Sequence, residues 1–295
     1  MTVSINGTTG ITSPADVIAT SVAVPTINVQ SINAGSANAL SISTNGTTAV
    51  TIDTNQNIGF GQSPNAWYSA NKALQIYPVT SLFGDVSTSG GSYLTNNLYY
   101  TGSPGYNAMT NGAGSYYRLY QGAHTWFTTT SNTALNPVTT TQLMNLDNTG
   151  RLSIPNQVSF DAYISSSPLS PGFSSSIVIV YDAVKHNIGS AYNGSTGVFT
   201  APVAGRYLIT ATASPGNWTG SMVWIAMTPQ VNGSYYVAVP AVLGSGYNYN
   251  NNQYIMLTWS GIMNLSAGDT VKMVITYNTF NGNLAFGTFS GQLLG

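Results

Sequence analysis

The chain has 295 residues, enough for one to three domains, yet only 4% of them are Asp, Glu, Lys or Arg, against about a quarter in ordinary soluble domains. Net charge is −1 and the six Lys and Arg are scattered, which excludes a phosphate-tracking basic surface and with it a nucleic-acid partner. No apolar run reaches the roughly 18 residues of a membrane span, and the absence of Cys removes disulfides and thiolate metal sites.

Disorder is not implied, because 43% of residues are apolar and 19 are Tyr; chains that stay unfolded are poor in both. Solubility must come from Ser, Thr, Asn, Gln and Gly, which makes the surface insensitive to salt and pH. The first ten residues carry no Lys or Arg leading into an apolar core, so no secretory signal is expected.

Gly, Pro, Asn, Ser and Thr break the chain almost every ten residues, and Val, Ile, Tyr and Thr fill the gaps in short alternating runs. The pattern predicts an all-β protein. Residues 1–61 hold short apolar segments at 22–24, 27–29, 40–42 and 50–52, separated by small polar residues. One copy of such a segment cannot bury enough surface to offset a backbone ordering entropy of roughly 1–2 kcal/mol per residue. Three copies with their apolar rows turned to a common axis can, so a thin trimeric β-stalk is predicted here.

A small β-rich middle module is expected over 62–156, bracketed by two similar hairpins. TIDTNQNIGFG (51–61) aligns with NLDNTGRLSIP (145–155), placing Ile52 with Leu146, Asp53 with Asp147 and Ile58 with Leu152. Both read as strand, Asp- and Asn-rich turn, strand.

From 157 to 295 the strands lengthen. Tyr207, Ile209, Ala211 and Ala213 form one alternating face; Val271, Met273, Ile275 and Tyr277 form another. Asn232-Gly233 joins 222–231 to 234–242 and is a strong hairpin signal. Regular antiparallel strands of this kind predict a sandwich or jelly roll.

Two resemblances follow from these residues. ALSISTNGTTAVTIDTNQNIGFGQSP, and the later block containing YQGAHTWFTT, resemble the central part of bacteriophage tail-fibre proteins. The run 180–213 resembles the globular head of complement component 1q and its tumour-necrosis-factor-like relatives. Its signature is carried here by Tyr192, Asn193, Thr196, Gly197, Phe199, Ala201, Pro202, Gly205 and Tyr207, with LSAGDTVKM and FGTFSGQLLG as the last strands. Unlike animal members, this chain has no collagen-like Gly-x-y stalk before the head and few charges.

The second resemblance implies a C-terminal jelly-roll head that forms homotrimers, with both ends of the domain on the stalk side. Loops 214–220, 244–253 and 278–283 then fall at the far tip. Trp218, Tyr247, Asn248, Tyr249, Asn250, Asn251, Asn252 and Asn281 become candidate receptor-contacting residues, since aromatic faces beside amides stack on sugars and make versatile contact surfaces. Calcium sits on the three-fold axis of some relatives, but no ligands are assigned here.

The expected role is a non-enzymatic virion structural protein, assembled in the host cytoplasm and displayed on a tail or capsid. Its expected partners are other virion proteins through the N-terminal segment and a host-surface glycan or protein through the head. The alternative is an architectural head fibre or capsid decoration spike without receptor binding. No cofactor is expected. All seven carboxylates are Asp, and the only imidazoles are His124 and His186, a poor supply for glycoside hydrolysis or zinc.

Overall fold

The computed structural model describes residues 38–85, 87, 90–102, 105–165, 176–216, 224–237, 254–278 and 282–295. Most of the expected stalk, residues 1–37, lies outside them. The described residues form strands and turns only, so the all-β expectation holds. They divide into two compact units, Met1–Gly114 with Thr130–Val138, and Ser115–Thr129 with Thr139–Gly295.

The first unit is built on a run of neighbouring strands, Leu40–Thr44, Thr47–Ile52, Ile58–Phe60, Asn71–Ile76, Thr80–Asp85 and Ser92–Asn96. All pairs are antiparallel except Ile58–Phe60 with Asn71–Ile76, which is parallel. Register places Leu40, Ile52, Ile58, Leu74, Leu82 and Leu94 opposite one another in a single row across six strands. The neighbouring row, Thr51, Gly59, Gln75, Ser81 and Thr95, points to the other face.

That second face is the buried one, although its row is polar. Gln75 is fully buried; its Oε1 accepts from Asn65 N (2.9 Å) and Trp67 Nε1 (3.2 Å), and its Nε2 donates to Asn65 Oδ1 (2.5 Å). Ser81 and Thr95 pair through their hydroxyls, and Thr95 donates to Leu98 O at 2.8 Å. Trp67, Ala73, Phe83, Tyr99 and Met109 form the small apolar core beside this network.

The two hairpins matched in the sequence have the same geometry. Ile52 pairs with Ile58 and Leu146 with Leu152. Asp53 Oδ1 accepts from Asn55 N and Asn57 N, and Asp147 Oδ1 accepts from Thr149 N and Arg151 N. The fourth turn position has positive φ in both, at Gln56 (66°) and Gly150 (85°).

In the second unit, strands Ser115–Tyr120, Ala123–Thr129, Thr140–Leu146 and Leu152–Ser153 are sequential neighbours. The sandwich follows. One sheet has the order Ala183–Ile188, Ser159–Tyr163, Asn283–Leu293, Gly205–Gly216, Leu257–Leu265. The other centres on Thr270–Asn278, flanked by Trp224–Val231 on one side and by Val198–Thr200 and Ser176–Val178 on the other. This is an antiparallel jelly roll.

The alternating residues singled out in the sequence face its core: Tyr207, Ile209, Met273 and Ile275 are all fully buried. Ring contacts among Phe160, Tyr192, Phe199 and Phe289, at 4.9–5.6 Å between centroids, fill the middle. Asn232-Gly233 makes the expected two-residue turn, both residues at positive φ (50° and 82°) as a type I′ turn requires. Its second arm begins with strand Ser234–Tyr235, and Tyr236 N continues the register by donating to Pro229 O; 238–242 lie outside the described residues.

Candidate functional site

Polarity along the sandwich decides which surface can meet a ligand. Gln157 Nε2 donates to Leu293 O (2.6 Å), Leu293 N donates to Val158 O, and Arg206 N donates to Gly295 O. The domain therefore begins and ends on one side, as the head resemblance implies. At the opposite end Gly216 pairs with Asn283 and bridges Tyr254, while Trp224 pairs with Asn278. These are the flanks of 217–223, of 279–281 and of the C-terminal side of 238–253, so the described residues bring three loop bases to one end.

Trp218, Tyr247, Asn248, Tyr249, Asn250, Asn251, Asn252 and Asn281 themselves lie outside the described residues. A fourth loop base joins the three. Ile164 N donates to Gly287 O and Ser176 pairs with Thr276, so 166–175 also leaves from this end. The run SSSPLSPGFSSS (165–176), with two Pro and a Gly between strands, was the signal for it. Asp182 fixes its first residue, accepting from Ser165 N (2.8 Å) and Ser165 Oγ (2.6 Å).

Beside these bases apolar side chains are exposed among Ser165 and Ser176. Tyr254 and Phe286 are in ring contact at 5.5 Å and are 44% and 57% exposed, with Met256 also exposed. Both rings keep an open face, the feature an aromatic contact surface needs.

The signature residues at 192–207 do structural work. Tyr192 Oη donates to Tyr181 O (3.0 Å) and accepts from Tyr181 N (3.2 Å); burial pushes its phenol up to about 12. Asn193 closes the turn by accepting from Thr196 N and Gly197 N. Gly197 has φ 71° and lies where a Cβ would come within 2.4 Å of Ile179 O. Tyr207 Oη donates to Val203 O at 2.8 Å, and burial raises its pKa.

Every described carboxylate is engaged. Asp53, Asp147 and Asp269 hold turn amides, Asp85 accepts from Ser87 N, and Asp182 holds Ser165. Asp161 pairs with Lys185 at 3.1 Å. Hydrogen bonds from Arg151 and Thr149 hold Asp147 far below the usual carboxylate range, and Asn232 Nδ2 with Ser266 N lowers Asp269. Among the described residues no three His or Asp side chains gather as metal ligands. His124 bonds the Tyr117 hydroxyl through Nδ1 and packs near its ring.

The outward face of the five-stranded sheet is a second candidate surface. A Ser/Thr ladder crosses it, Thr210 with Ser290 (2.6 Å) and Thr212 with Thr288 (2.9 Å). Beside it lies a groove of about 370 Å³ lined by Asp161, His186, Leu208 and Gln292 among others, and Ile262 on the same face is 57% exposed. Such a face, partly apolar and with Asp161 neutralised by Lys185, suits contact with other copies.

Residues 160–294 match the family model described as C1q domain. Similar solved structures include the globular domain of zebrafish complement 1qA protein (17% identity, 47% of this chain and 98% of that one, TM-score 0.33). Others are murine APRIL (13%, 45% and 98%, TM-score 0.32) and the Eiger TNF of S. frugiperda (10%, 48% and 94%, TM-score 0.34). The C-terminal jelly roll is thus similar to C1q domains over residues 160–294.

Proposed function

We propose that the chain is a homotrimeric, non-enzymatic fibre protein of a bacteriophage particle, whose C-terminal head contacts the host surface with the end that carries the four loop bases. The observation that carries this reading is the polarity of the head. The chain enters and leaves at one end, at Gln157 and Leu293, and its loop bases gather at the other, beside the exposed Tyr254 and Phe286. A domain joined to a longer chain at one end presents its opposite end outward.

The family match supports the trimer, and the outward face of the five-stranded sheet supplies a low-charge surface for it. Three linked copies raise a weak contact to a durable one through effective concentration. The virion role rests on the tail-fibre resemblance of the first half and on a nearly uncharged, Cys-free composition.

The test uses the full chain, fluorescently labelled, on a panel of bacterial cells and their purified surface polysaccharides. Replacing 244–253 by a short Gly/Ser linker is expected to keep a mass of three protomers of 30.9 kDa and to abolish binding. Undiminished binding overturns the assignment of this end. Attachment to virions without binding to any cell would favour the architectural alternative.

A further inference from the structure

We propose that the open face of the first unit's sheet is a second self-association surface, covered by other copies of this chain. Its burial pattern is inverted. The polar row Thr51, Gln75, Ser81 and Thr95 is 0–5% exposed, whereas in the apolar row Leu82 and Leu94 are 53% and 51% exposed. In the next row Ile42, Phe60 and Ile76 are 41–51% exposed. Six strands at about 4.8 Å spacing make this a continuous apolar strip some 24 Å across.

Three features point to copies of the same chain as the occupant. First, the strip is chemically plain: Leu, Ile and one Phe, with Lys72 the charge beside it, and the Lys72 ammonium already donates to Asn55 O. Lys72 lines the adjoining groove and lies outside the row of Leu82 and Leu94, so that row can meet a second copy with no charge among its own side chains. A nucleic acid finds a single cation there, Lys72, too little to hold a phosphate backbone.

Second, the face carries both ridge and hollow. Beside the Leu82 and Leu94 ridge lies a groove of about 420 Å³ lined by Ile58, Leu74, Gly84 and Ser92 among others, so the ridge of one copy has a hollow to enter on the next.

Third, the size fits an auxiliary contact. Five half-exposed apolar side chains leave on the order of 500 Å² open, the size of the largest patch on a typical monomer. A free-standing dimer needs roughly 800 Å² per partner. The strip suits copies that are already held together elsewhere, so the inference rests on the head-mediated trimer.

The absence of Cys from the chain allows a direct test on the full-length protein. Leu82→Cys and, separately, Leu94→Cys are treated with a short bismaleimide, with Ser195→Cys in an exposed turn as control. Light scattering reports the mass independently. With the strip covered by another copy, a thiol at either position joins two chains about a thousandfold faster than the control, as expected for an effective concentration near millimolar against micromolar protein.

A trimer whose thiols at positions 82 and 94 react freely with a monofunctional maleimide overturns the proposal and leaves the head reading intact. A trimer in which they are shielded but never cross-linked also overturns it, in favour of coverage by residues 1–37 of the same chain. A monomer overturns both readings.

Discussion

Tyr192→Phe removes one oxygen from the head and isolates a single structural device. Tyr181 belongs to no strand and is fully buried, so its N–H and C=O have no ladder partner of their own. The Tyr192 hydroxyl serves both, accepting at 3.2 Å and donating at 3.0 Å. Phe keeps the ring and its stacking on Phe160, at 4.9 Å and 6° between planes. The loss is therefore that of the hydroxyl, with two buried backbone groups left unpaired at about 1–3 kcal/mol each. The expected destabilisation is about 2–6 kcal/mol, at the high end of single substitutions.

The assay is guanidinium unfolding followed by tyrosine and tryptophan fluorescence, at one fixed protein concentration because association contributes to apparent stability. A loss under about 0.5 kcal/mol would refute the reasoning, since it would mean that the backbone of Tyr181 reaches water in the folded protein.

Gln75→Leu replaces a buried amide by an aliphatic group of similar size and leaves Asn65 N, Trp67 Nε1 and Asn65 Oδ1 without their partner; we expect the first unit to lose about 3 kcal/mol or more, read as earlier proteolysis within 38–138 while the head stays intact. Gly291→Ala puts a Cβ within 2.5 Å of Phe160 Cε1 and 2.8 Å of Ile209 Cδ1, so overpacking should cost about 1–3 kcal/mol in chemical unfolding. On the alkaline side, the folded pKa of Tyr192 lies above its ordinary value of 10.0, at about 12. The neutral phenol is favoured by folding, so its contribution is complete below about pH 10 and fades as the pH rises through about 12. Tyrosinate absorbance should show it ionising after the exposed tyrosines, together with loss of the head's near-ultraviolet dichroism. Ionisation together with the exposed tyrosines would contradict this. Asp269 has a folded pKa lowered from 3.8, so its contribution is present above that value and fades below it; Asp269→Asn should flatten the acid limb of the stability curve.

Much of the head could be read from residue types alone, because its strands alternate cleanly and its turns use residues with few alternatives. Positions 207–213 alternate with a period of two and one covered face, and 271–277 follow the same period except that Val274 is covered too. Asn232-Gly233 adopts the turn its composition demands. The matched Asp53 and Asp147 turns share a five-residue loop in which the carboxylate takes the open amides. The candidate site was legible to a lesser degree. That loop bases would gather opposite the chain termini follows from strand parity, but the count of loops depends on how many strands there are. Residues 165–176 contribute a fourth base only because Ser176–Val178 adds itself to the edge of the second sheet, a three-residue strand too short to stand out in the sequence.

The first unit shows why alternation cannot assign faces. In 71–76 the odd positions are Asn71, Ala73 and Gln75 and the even ones are Lys72, Leu74 and Ile76; by hydrophobicity alone the even set would be inside. The reverse happens because Trp67 and Met109 lie over the odd face and turn Gln75 into a hub, satisfying four of its bonding positions. A buried amide with all its partners is tolerated at little net cost, and once it is fixed, a one-residue period difference sends every Leu and Ile of the row outward. Such a sheet contradicts its own amphipathicity as a lone chain. The contradiction disappears if the working unit contains more than one copy. The row at Leu82 and Leu94, 53% and 51% exposed, is where that proposed association is open to direct chemical test.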